Sequence, residues 1–186
     1  MTFIELLIIA IGVSMDAFAV SICKGLSVSR LQSKHVLSTG LWFGGFQALM
    51  PVVGYYAGLH FSDLVSNVDH WIAFVLLAFI GYEMVKESRD KDCDDVSPDF
   101  SFRTMLAMAV ATSIDALAIG VSFAFLKVDI WMSVLLIGLT TGLFSMAGVR
   151  IGNVFGSRFK STAELLGGLI LIIMGVKILV EHTLLQ

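Results

Sequence analysis

Ser14-Met15-Asp16-Ala17-Phe18-Ala19 sets a carboxylate in the middle of an otherwise apolar stretch, residues 3–23. The pattern returns 99 residues later as Ser113-Ile114-Asp115-Ala116-Leu117-Ala118, inside a second apolar stretch, 104–124. A charge at the depth of a bilayer centre costs about 2.5–3.5 kcal/mol on insertion scales. Two such carboxylates in matching local settings point to a shared use. The plainer alternative is that each Asp makes a polar contact between packed helices, but a structural contact has no need to recur in both halves.

The surroundings agree with a membrane setting. The chain has 186 residues, 57% of them hydrophobic and only 15% charged, where a soluble domain carries about a quarter charged. Its mean hydropathy is +0.90. The net charge of −3 says nothing about nucleic acid, and with the basic residues at segment ends and not in a patch no nucleic-acid partner is expected. No Lys or Arg precedes the first apolar stretch and Glu5 sits near its start, which disfavours a cleaved leader. Cys23 and Cys93 lie far apart in different settings, and no disulfide is expected between them.

Six stretches are long enough to cross a hydrocarbon core of about 30 Å: 3–23, 36–59, 71–85 (extending to Ser88), 104–124, 131–149 and 163–180. Runs this uniformly apolar must be helical, because a lipid-exposed backbone has no other way to satisfy its polar groups. The fold class is therefore all-α, a polytopic membrane protein of six transmembrane helices, with the lipid bilayer as its solvent. Charge sets the expected orientation. Lys24, Arg30, Lys34, Lys86, Arg89, Lys91, Arg103, Arg150, Arg158 and Lys160 fall on one side, and only Lys127 on the other. By the positive-inside rule both termini lie outside, in the periplasm.

The halves match beyond the Asp motif. Gly40, Leu41, Gly44, Phe46, Gly54 and Gly58 recur 98 residues on as Gly138, Leu139, Gly142, Phe144, Gly152 and Gly156, and Gly81 aligns loosely with Gly175. Three crossings per half is an odd number, so the second half enters from the opposite side. This predicts two inverted three-helix repeats, 1–88 and 104–186, joined by an acidic, solvated cytoplasmic linker, 89–103. Glycines four apart (Gly40/Gly44, Gly54/Gly58, Gly148/Gly152/Gly156) predict close helix packing. Pro51 is expected to kink its helix and to free a carbonyl near mid-span.

Two carboxylates at the midplane cannot both stay ionised unless a cation lies between them. A divalent ion neutralises both, and protons fill the site otherwise, which is the minimum chemistry of an exchanger. Gln47 and Ser145 occupy matching positions near the centres of the second and fifth segments and offer neutral oxygens to a hard cation. Ser14 and Ser113 point about 200° from their Asp on an ideal helix and are expected to bond the backbone. Met15 offers a thioether, which would favour Mn²⁺ over Mg²⁺ or Ca²⁺, although Met in an apolar helix is ordinarily filler. Lys177 is expected to snorkel outward, and Glu83 inward, with a role as relay acid the alternative for Glu83.

The paired motifs resemble those of the bacterial MntP-type manganese exporters. So do Gly-Leu-Trp-Phe-Gly-Gly-Phe-Gln-Ala-Leu-Met-Pro at 40–51 and His-Trp-Ile-Ala-Phe-Val-Leu-Leu at 70–77. The resemblance spans essentially the whole chain. It implies an inner-membrane protein with Mn²⁺ as transported substrate, no cofactor, Asp16 and Asp115 as functional acids, and a distant relation to LysE-type exporters. Some members carry Glu where this chain has Gln47. Two rivals are an exporter of amino acids or similar organic solutes and an intramembrane aspartyl protease. The first lacks a cationic partner near the Asp pair, and the second lacks a Gly-x-Gly-Asp motif.

Overall fold

The structure, a computed structural model, describes residues 2–65, 69–87, 93, 98–126, 128–155 and 160–184. Among these there are seven helices and no strand: α1 (Phe3–Leu26), α2 (Ser33–Val65), α3 (Asp69–Glu87), α4 (Phe102–Ala111), α5 (Ile114–Phe125), α6 (Ile130–Phe155) and α7 (Lys160–Leu184). Every expected apolar stretch is helical, and most helices extend past it by a turn or more. The exception is the fourth, which is not one helix. It breaks at Thr112–Ser113, and α4 and α5 meet at a bend of 43°. Three helices, α1, α6 and the Ser33–His60 part of α2, are long and apolar enough to cross a membrane, and the bent α4–α5 pair makes a fourth crossing if taken as one span.

α1 begins on a capping box: Thr2 Oγ1 accepts from Glu5 N, and the Glu5 carboxylate accepts from Thr2 N. Glu5 is also ion-paired with Lys177 of α7. This corrects the expectation that Lys177 simply snorkels outward. The pair ties the first helix to the last, with the Lys177 side chain partly exposed and that of Glu5 largely covered.

Packing runs between the halves and not within them. α1 lies against α6 and α7, and touches α2 only sparsely. α2 lies against α5, α4 and α6, and α3 against α7 and α5. Small residues allow these approaches, because helices in lipid gain from van der Waals contact more than from apolar burial. A Cβ on Gly152 would stand 1.9 Å from Ile22 O, and one on Gly54 1.9 Å from Leu117 O. At the α2–α6 crossing Gly40 and Gly44 face Gly142 and Gly138. Gly81 packs on Gly168, whereas its loose sequence match Gly175 faces Leu77 and Phe74. Outward, large apolar side chains such as Leu41, Leu139 and Phe79 are exposed, as a lipid-facing surface requires.

Two further expectations are corrected near the ends of α1. Cys23 and Cys93 form a disulfide, with Cα atoms 5.2 Å apart. Seventy residues of sequence separation hid it, because only the folded chain brings the linker over the end of α1. Lys24, placed above outside the apolar stretch 3–23, lies in the last turn of α1 and is fully buried. Its Nζ donates to Asp99 O at 2.6 Å and sits 4.6 Å from the centre of the Phe100 ring, which itself stacks on His35. Phe100 and Asp99 O thus anchor the described part of the linker on the end of α1, while Pro98, Asp99, Ser101 and Arg103 stay exposed. Residues 88–92 and 94–97 lie outside the described residues. Hydrogen bonds from Ser101 and Thr104, with help from Lys24, hold the exposed Asp99 carboxyl below the usual carboxylate range.

Candidate ion site between α1, α3 and the α4–α5 break

Ser113 and Ser14 behave alike. Ser14 Oγ donates to Ala10 O at 2.6 Å, and Ser113 Oγ bonds Ala109 O. Both satisfy themselves on the preceding turn and leave the neighbouring Asp to face elsewhere, as the 200° offset requires. Ser14 also meets Thr141 Oγ1 of α6 at 2.8 Å.

Asp16 and Asp115 then come together. A cavity of about 520 Å³ lies between α1, α3 and the α4–α5 break, and both carboxylates line it. Glu83 of α3 and Thr112 at the break also line it, among apolar neighbours such as Val20, Phe79 and Met84. Asp115 sits in the first turn of α5, where the helix dipole favours a negative charge, and its Oδ1 accepts from Ala116 N at 2.8 Å. Asp16 lies instead in mid-helix, since α1 runs unbroken through it. The same six-residue pattern therefore adopts two local structures. Glu83 reaches the rim, with its side chain 38% exposed and Lys86 at 3.5 Å.

The other sequence-chosen residues are not among those that line this cavity. Gln47 is fully buried, and its Nε2 donates to Thr112 O at 3.0 Å and to Val13 O at 3.4 Å. Val13 and Thr112 are themselves 99 residues apart, the offset of the Asp motif. Gln47 Oε1 is buried without a hydrogen bond, and so is Ser145 Oγ on α6. A buried unsatisfied oxygen costs about 1–3 kcal/mol, and two of them at matched positions mark a place where another polar group belongs. Pro51, one turn on, has no N–H to give Gln47 O. Met15 packs in the main apolar core and against Gly167 of α7, the filler role.

Chemically, the arrangement offers two carboxylates and neutral oxygens. Among the described residues no three His, Cys, Asp or Glu side chains stand close enough to hold a metal ion by themselves. A divalent ion here would draw charge from the Asp pair and complete its shell with hydroxyl, amide, main-chain or water oxygens. Thr112 was missed in the sequence, although it immediately precedes the repeated motif. Thr141 was missed too, although it lies one turn before Ser145.

The family described as "Mntp: Putative manganese efflux pump" matches residues 30–179. Proteins named "Putative manganese efflux pump MntP" align along nearly the whole chain. The one from Desulfitobacterium hafniense is 56% identical over 179 residues, covering 96% of this chain and 95% of its own. That from Acetivibrio thermocellus is 57% identical, covering 98% and 92%, and that from Mannheimia succiniciproducens 54%, covering 99% of both. No solved structure matches. The chain belongs to this family.

Proposed function

We propose, from membership of this family, that the protein exports Mn²⁺ from the cytoplasm across the inner membrane by secondary transport, at a midplane site built on Asp16 and Asp115. As a member of a family of efflux pumps it is a transporter and not an enzyme, which sets the protease reading aside. The observation that carries the site is that the two Asp of the repeated motif, from helices 99 residues apart, line one cavity. Gln47, bonded to Thr112 O at its wall, and Ser145 are the candidates for neutral oxygens. Met15 remains as core filler.

Six crossings as two inverted repeats fit the packing. α1 lies on α6 and α7 as the α4–α5 pair lies on α2 and α3, while α2–α6 and α3–α7 pair with each other. Each contact has its counterpart when the halves are exchanged. A broken helix beside the acids belongs to the same picture, because irregular backbone at membrane depth is tolerated where it lines a cavity. Rocking one half on the other opens the pair alternately to each side, and protons replace the metal on the return.

Purified protein in liposomes carrying a Mn²⁺-quenched dye tests the reading. Mn²⁺ flux is expected, faster with the metal-acceptor side acidic, and unaffected by amino acids. Amino-acid competition would favour the organic-solute exporter instead.

A further inference from the structure

The break between α4 and α5 leaves a main-chain oxygen with unused capacity. In an unbroken helix Thr112 O would accept from Ala116 N. Here that N–H is turned to Asp115 Oδ1 at 2.8 Å, and Thr112 O instead accepts from Gln47 Nε2 at 3.0 Å. A carbonyl oxygen has two lone pairs, and the Gln47 amide uses one. Thr112 lines the same cavity as Asp16 and Asp115. It also caps the C-terminus of α4, where the helix dipole concentrates about half a negative charge. Its own hydroxyl is committed elsewhere, donating to Met108 O at 3.0 Å and Ala109 O at 3.3 Å.

We infer that Thr112 O is a ligand of the transported divalent cation, and that Gln47 acts on it as a positioning residue. The inference rests on the export reading and extends its site to the main chain. The Gln47 amide holds the carbonyl in place from the far side, and the second lone pair faces the cation between the carboxylates. Three roles then fall on three residues of one turn: Asp115 gives charge, Ala116 N–H fixes Asp115, and the loss of that N–H from the ladder frees Thr112 O. A neutral carbonyl added to two carboxylates suits a hard divalent ion. The intact helix around Asp16 offers no equivalent oxygen, because Val13 O lies within the regular ladder of α1. The site is thus asymmetric despite the repeat, with α4–α5 supplying more of the shell.

Electron–nuclear double resonance on bound Mn²⁺ tests this directly. Full-length protein grown with threonine carrying ¹³C at its carbonyl carbon, then loaded with Mn²⁺ alone, is expected to show a ¹³C coupling to the metal. Thr112→Ser keeps the carbonyl and hydroxyl but removes the label, so Mn²⁺ should still bind while the coupling is lost; Thr112→Ala serves as a second variant with the same expectation. Mn²⁺ bound to the wild type without ¹³C coupling, or coupling that survives in both variants, overturns the inference and leaves the export reading standing. Failure of the wild type to bind Mn²⁺ overturns both.

Discussion

Gln47 is the residue whose place in the sequence and place in the fold say the same thing. A neutral amide in mid-span needs a reason, and the fold supplies one: the side chain joins Val13 O of α1 to Thr112 O at the α4–α5 break and remains fully buried. Val13 O keeps its partner in the α1 ladder, but loss of the amide leaves Thr112 O without this donor, at about 1–3 kcal/mol. Gln47→Ala is therefore expected to lower Mn²⁺ transport by about tenfold or more, at about 1.4 kcal/mol per decade. Ser27→Ala, at the C-cap of α1, should transport like wild type. Equal activity of the two variants in the liposome assay would remove Gln47 from the site. Residue identity also singles out Asp16 and Asp115, which line one cavity, and Ser145, which does not line it, because polar groups stand out in apolar runs. Thr112 was not legible, since the contribution proposed for it is a main-chain atom that every residue has.

At the scale of the element, helices and their small-residue contacts were readable, but the break was not. Nothing in Ala111-Thr112-Ser113-Ile114 is a Pro or Gly, and the matching Gly12-Val13-Ser14-Met15 stays helical in α1. What the structure shows beside the break is tertiary: Gln47 takes the freed carbonyl, and two turns on Pro51 O of α2 lies 2.1 Å from where a Cβ on Gly120 would stand. Gly120→Ala should therefore force apart α2 and α5. Overpacking of this kind costs about 1–3 kcal/mol, and a clearly lower unfolding temperature in detergent is expected. Gly45→Ala meets nothing within 4 Å and, by helix propensity, should leave stability unchanged or slightly raised. Similar unfolding temperatures for the two variants would contradict the close α2–α5 contact.

At the scale of the whole molecule, the helical class followed from composition, whereas the Cys23–Cys93 disulfide and the burial of Lys24 did not. Both depend on where the linker lies, and no periodicity records that. The ten-to-one bias of basic residues predicts that tags at Met1 and Gln186 are both reached by an impermeant reagent from outside the cell. Ends on opposite faces would remove the inverted repeat and the rocking mechanism with it. The central claim is that the halves share one metal site. Asp→Asn keeps size and an acceptor oxygen, so carboxylates that merely tied helices together would tolerate it. A dication left half-neutralised in a medium of low dielectric would not. The most direct measurement is cellular Mn and manganese resistance in strains expressing Asp16→Asn, Asp115→Asn and the double variant at equal membrane levels. Each single variant is expected to be sensitive and high in internal Mn, with the double variant little worse because one shared site is already disabled. Normal resistance in a well-expressed Asp115→Asn strain would contradict the account.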